Sequence, residues 1–149
     1  MSANKNSLAE TGTPTYLASG SDPALANYFP AWLNNLAEDV TLEGSMMDGA
    51  VQGADAVRTI LVYIRTLYER QEFHVAGPYG DKLFLEDYTA WVRGEPLGNV
   101  VLITRNDAGQ AQHIVGNYRP RSTLLLLSRL VGEHFAGTPA GAHFAASVD

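Results

Sequence analysis

The chain has 149 residues, enough for one domain with a sizeable core, and its 46 % hydrophobic and 17 % charged residues are those of an ordinary globular protein. A net charge of −6 leaves no basic face for phosphates, so no nucleic-acid partner is expected. The absence of cysteine excludes disulfides, thiol nucleophiles and thiolate metal sites.

The opening residues, MSANKNSLAETGTP, are polar and have no apolar signal-peptide core, and no apolar run is long enough to cross a bilayer. The expectation is a cytoplasmic protein with no membrane partner. Residues 1–22, rich in Ser, Thr, Gly and Pro, read as a flexible lead-in. Residues 23–137 form the folded domain, and residues 138–149 a weakly patterned tail.

Asp22 and Pro23 have the chemistry of an N-cap and first helical residue. The helix expected after them carries Leu25, Tyr28, Phe29, Trp32, Leu33 and Leu36, with Pro30 kinking or splitting it. Val40 to Glu43 alternates as a half-buried strand and stops at Gly44; a short second strand covers residues 50–52. The strongest helix pattern runs from Ala54 to Glu69, with Val57, Ile60, Leu61, Ile64, Leu67 and Tyr68 on one face. Strands are expected at 71–76, 82–93, 99–105 and 110–119, with turns at 77–81 and 94–98 and a tight hairpin at 106–109. Ser122 is the expected cap of a last helix over 123–135, bearing Leu124, Leu127, Leu130 and Val131. This order gives an α+β fold: a bent antiparallel sheet wrapped around one long helix as a cone with a cavity, plus a C-terminal helix.

The stretches LAEDVTLEGSMMDGAVQGADAVRTIL and VLITRNDAGQAQHIVGNYRPRS resemble the NTF2-like superfamily, in particular its SnoaL-like, polyketide cyclase-like branch. The resemblance extends over residues 24–135 and implies the fold more specifically than the reaction. It places the general base of ketosteroid isomerase at Gly44 and that enzyme's protonated oxyanion-hole carboxyl at Val101. The last-strand acid of limonene epoxide hydrolase and SnoaL falls at Gly116, and the hydrolase's Arg and Asp near Tyr88 and Ala90. Every inherited carboxylate position is therefore vacant.

Strand alternation leaves two possible inner faces. The more apolar one holds Phe84, Glu86, Tyr88, Ala90, Val92, Val101, Gln112, Ile114, Gly116 and Tyr118. The other would bring in Asp87, Trp91, His113 and Asn117. On the first, Tyr118 and Tyr88 are candidates to polarise a substrate carbonyl, or else core aromatics. Glu86 is the only acid there, a candidate for proton transfer if buried, or else a solvated strand-end residue. Substrate-binding candidates are Met46 and Met47 at the mouth, Leu61 and Ile64 on the helix, and Phe84, Gln112, Ile114 and Gly116 on the sheet. His74, His113, His134 and His143 show no metal-ligand spacing on one helix face, so neither metal nor other cofactor is expected. Arg119, Arg121 and Arg129 are either anion ligands or surface residues.

Two functions fit these residues. One is a cyclase or isomerase of a hydrophobic polyketide- or terpenoid-like molecule, acting by substrate folding, a pericyclic closure for example, without the usual carboxylates. The other is a binding or interaction module without turnover. A pocket holding an ionisable group with a displaced pKa favours the first; a cavity filled by the protein's own side chains favours the second. Trp91, Val115 and Thr89 on the sheet's outer face, or the last helix, suggest a homodimer.

Overall fold

The computed structural model describes residues 12–18 and 20–145; residues 1–11 of the lead-in and the last four of the tail lie outside the described residues. A short helix α1, Thr15–Ala18, precedes two 3-10 turns, Pro23–Leu25 and Ala31–Asn34. Strands β1, Leu36–Gly44, and β2, Val51–Gln52, lead into helix α2, Ala54–Leu67. Strands β3, Arg70–Tyr79, β4, Leu83–Val92, β5, Glu95–Arg105, and β6, Ala111–Arg119, follow as a meander. Helix α3, Arg121–His134, and a 3-10 turn, Ala140–His143, close the chain. The six strands lie in the order β2-β1-β6-β5-β4-β3, all antiparallel except the parallel pair β1–β6. Irregularities at Phe73/Val75 and Thr104/Arg105 bend the sheet.

The expected α+β cone with a C-terminal helix forms, but its sheet is mixed where an antiparallel one was expected, because β1 runs parallel to β6. The inner face of α2, Val57, Ile60 and Ile64, is fully buried, as are Val40, Leu97, Ile103 and Ile114 on the strands. Each such side chain stabilises the fold by about 1.5–3 kcal/mol through burial. From α3, Leu127, Leu130 and Val131 complete the core.

Several local expectations are corrected. No helix follows Asp22. Its Oδ1 does accept from the Ala24 N–H at 2.9 Å, but the turn ends after Leu25. Pro30 has no N–H to continue a helix and instead precedes the second turn. Leu36 belongs to β1, which is longer than its alternating centre suggested. Residues 77–79 continue β3, because β3 is an edge strand and Pro78 interrupts no ladder there. Residues 95–98 belong to β5, and the β4–β5 turn is only Arg93-Gly94, both at positive φ (50° and 79°). Such a pair matches the twist of a two-residue hairpin. Pro120, not Ser122, stands at the N-cap of α3.

Both ends of the described chain pack. Tyr16 is buried, and its carbonyl accepts from Thr89 Oγ1 at 2.8 Å. Phe144 is buried in the core and bridges to Met47.

Candidate functional site

A cavity opens between α2 and the inner face of the sheet. Its cavity volume is about 50 Å³, so it is a narrow slot. The more apolar strand parity is the inner one: Glu86, Tyr88, Val101, Ile114, Gly116 and Tyr118 all line the slot. Leu61 and Ile64 of α2 face them, with Met46 and Met47 beyond the end of β1.

One wall carries a cluster of phenols. Tyr68, the residue after α2, has its hydroxyl 2.7 Å from that of Tyr88 on β4. The buried Asn99 of β5 donates its Nδ2–H to the Tyr88 oxygen at 2.8 Å. The orientation of that amide is fixed, because its Oδ1 accepts the Asn117 N–H at 3.0 Å. Tyr88 therefore accepts the amide hydrogen bond on one lone pair, and either phenol can donate in the Tyr68–Tyr88 bond. Tyr118 brings its hydroxyl into the same cluster. Burial is the main cause holding all three phenols above the ordinary tyrosine pKa. They are hydrogen-bond donors throughout the neutral range.

Glu86 stands two residues before Tyr88 on the same face of β4, 2 % exposed. Its Oε2 accepts from Tyr28 Oη at 2.5 Å and from Trp32 Nε1 at 2.9 Å. No protein donor binds Oε1 among the described residues, and the residue lines the slot. Burial raises the Glu86 pKa; the two hydrogen bonds and the Arg65 charge oppose the rise without cancelling it. The carboxyl is thus fixed by one oxygen and free at the other, with a proton affinity above that of a solvated glutamate.

Phe84 and Gln112 lie outside the slot. Phe84 sits under the Arg105 guanidinium near the start of β4, and Gln112 donates to Asp39 Oδ1 at 2.9 Å. Phe84 has the inner parity but lies too far along β4, whereas Gln112 falls at the register shift between β5 and β6, where strand alternation breaks. The functional residues that sequence reasoning missed are Asn99, Tyr28, Trp32 and Arg65. Asn99 had a signal, being the one polar residue in the inward series Leu97, Asn99, Val101, Ile103. Tyr28 and Trp32 had none, because they meet Glu86 across 58 and 54 residues of sequence.

The vacant positions have a structural cause at two places. A Cβ on Gly44 would stand 2.3 Å from the Gly116 carbonyl oxygen, so the close β1–β6 approach admits no side chain there. A Cβ on Gly116 would stand 3.0 Å from Tyr118 Cε2. The space at Gly116 is occupied by the Tyr118 ring itself. Val101 is a buried apolar residue on the wall.

The histidines make local bonds away from the slot. His74 binds the Gly20 carbonyl and Thr89 Oγ1, and His113 binds Thr41 Oγ1. His134 stacks on Tyr63, and His143 binds the Asp48 carbonyl. Among the described residues no group of three His, Asp or Glu gathers around a possible metal position. Arg119 donates to Thr15 Oγ1, and Arg129 pairs with Glu133. No helix among the described residues is long and apolar enough to cross a membrane.

No protein-family model matches the chain, and no curated protein matches it. Solved structures do. A bacterial protein with a cystatin-like fold from Silicibacter pomeroyi superposes with a TM-score of 0.66 at 22 % identity, over 71 % of this chain and 74 % of its own. A steroid delta-isomerase from Pseudomonas aeruginosa gives 0.65 at 23 % identity, over 72 % and 79 %. An NTF-2 like protein of unknown function from Burkholderia xenovorans gives 0.51 at 14 % identity, over 72 % and 86 %. The bent sheet around α2 and these superpositions agree: the chain has the cystatin-like, NTF2-like fold.

Proposed function

We propose that the protein is an isomerase or cyclase of a flat, hydrophobic, carbonyl-bearing small molecule of polyketide or terpenoid type, and that Glu86 moves the proton. The observation that carries this reading is the pairing, on one face of β4, of a buried carboxyl with a free oxygen and a phenol cluster two residues away. A carbonyl oxygen docked on the phenols gains donors where negative charge develops. Glu86 Oε1 takes a proton from the carbon beside that carbonyl, forming an enolate and a neutral carboxyl. Return of the proton to another carbon isomerises the substrate; attack of the enolate on a second carbonyl closes a ring, and the neutral Glu86 carboxyl returns its proton to the alkoxide formed there. The likeness in fold to a steroid delta-isomerase accords with such chemistry. Here the carboxyl stands on β4, since Gly44 leaves the end of β1 without one.

The test is proton–deuterium exchange beside the carbonyl of 2-tetralone in D2O, followed by NMR. The wild-type protein should accelerate it, and Glu86→Gln should lose about 10²–10⁴-fold of that acceleration. Exchange no faster than in buffer would overturn the enzymatic reading. The narrowness of the slot favours the second reading, a binding module, and binding of 2-tetralone without exchange would support it.

We also propose a homodimer through the outer face of the sheet. Trp91 and Thr89 are not free for it, since Arg70 covers the first at 3.8 Å and Tyr16 the second. The row Leu85, Leu102, Val115, in register across three strands, remains half-buried.

A further inference from the structure

We propose that Arg65 is an anion subsite of this slot, and that the ligand therefore carries a carboxylate besides its carbonyl. This rests on the pocket reading above and extends it to the class of ligand.

Arg65 is half-buried on α2 and lines the slot. Among the described residues no carboxylate lies within 4.0 Å of its guanidinium, whereas Arg70 and Arg129 each have one. Its one side-chain hydrogen bond is to Gln71 Oε1 at 3.5 Å, the outer limit of such a bond. The Arg65 guanidinium carbon stands over the Phe29 ring, 5.3 Å from its centroid. An arginine has five N–H donors, and one long hydrogen bond leaves most of them unspent.

Glu86 does not satisfy it. That carboxyl feels the Arg65 charge, but its Oε2 is held by the neutral donors Tyr28 and Trp32. A half-buried guanidinium with unspent donors, in a mainly apolar slot, matches the planar two-oxygen geometry of a carboxylate. Withdrawal from water also makes the pairing stronger than on an open surface. Tyr68, the residue that caps the end of α2, donates its backbone N–H to the Arg65 carbonyl at 3.2 Å, so the two residues lie one turn apart. A ligand with its carbonyl on the phenols can therefore reach Arg65 with a second group across a short apolar body.

The experiment compares 4-acetylbenzoic acid with its methyl ester by calorimetric titration at pH 7. The acid should bind wild type about ten-fold more tightly or better, the strength of a charge-assisted bond. Arg65→Gln should abolish the difference between acid and ester, while Arg65→Lys should keep part of it. Circular dichroism of both variants should match wild type, and an Arg65→Lys that folds and discriminates as wild type would deny the two-pronged geometry. Equal binding of acid and ester by wild type overturns the anion subsite and leaves the pocket reading standing. Binding of neither overturns both.

Discussion

The hydroxyl of Tyr68, just past the end of α2, lies 2.7 Å from the hydroxyl of Tyr88 on β4. Asn99 donates to the same Tyr88 oxygen, so this one oxygen joins the amide of β5 to the phenol of Tyr68. Hydrogen bonds in such a cluster polarise one another. This relation ties the helix to the sheet at the point where a substrate oxygen would dock.

Replacing Tyr118 by Phe keeps the ring over Gly116 and removes one hydroxyl. If that hydroxyl stabilises the enolate, 2-tetralone exchange should fall by about ten- to a thousand-fold with the melting temperature little changed. Tyr88→Phe should lower both, because it strands the buried Asn99 amide at a cost of about 1–3 kcal/mol. Thermal melts and exchange rates on the two variants separate these roles. An unchanged rate in Tyr118→Phe would make that residue a packing group only.

Glu86→Gln tests the raised carboxyl pKa through stability. A folded-state pKa above the unfolded one means the native protein binds more protons between the two values. Stability is then greatest below the ordinary glutamate range and falls as pH rises through the folded pKa. Glutamine is neutral at every pH and still accepts from Tyr28 and Trp32. The variant should therefore match wild type near pH 4 and melt higher near pH 7. A gap that widens toward acid pH would reverse the sign and refute the assignment.

Gly44→Ala should destabilise by about 1–3 kcal/mol, since its Cβ meets the Gly116 carbonyl of the neighbouring strand and neither backbone can yield cheaply. Gly44→Asp, which restores a carboxyl where ketosteroid isomerase has its base, should suffer the same clash and gain no Δ5-3-ketosteroid isomerisation. Urea denaturation gives the first result and an absorbance assay the second. A stable, active Gly44→Asp would mean β1 and β6 are further apart than described.

Leu61 and Ile60 are neighbours on α2 with different surroundings. Ile60 is fully buried, whereas Leu61 is half-buried and borders the slot. Ile60→Ala should cost about 2–5 kcal/mol, and Leu61→Ala about 2 kcal/mol or less, because its deletion only widens an existing space. Denaturation midpoints that reverse this order would place the helix face wrongly.

On the outer face Asp87 has one buried oxygen without a hydrogen-bond partner. It pairs in register with Val100, close to the Leu85–Leu102–Val115 row. Light scattering at high micromolar concentration should give a dimer, and Leu102→Glu should yield a monomer. A wild-type monomer under those conditions refutes the interface.

What the sequence determined by itself is the set of elements with strong periodicity. The α2 stripe, the alternating strands and the Asn106–Gly109 hairpin are local patterns, and they bury the faces their spacing dictates. The inner parity was legible too, since Phe84, Tyr88, Ala90 and Val92 outweigh the opposite set in apolar character. Tertiary structure decided the rest. The segment after Asp22 has a helical apolar stripe, yet Pro30 breaks it and Tyr28 and Trp32 turn to Glu86, a partner more than fifty residues away. Gly44 reads in sequence as a lost catalytic group, while the parallel β1–β6 pairing shows a backbone contact that no side chain can share. Arg65 lies away from the centre of the apolar stripe of α2, and only the sheet closing over the helix makes it part of the slot. Periodicity reports which face of an element is buried; which polar groups meet on that face depends on pairings between distant segments, and these carry no local pattern.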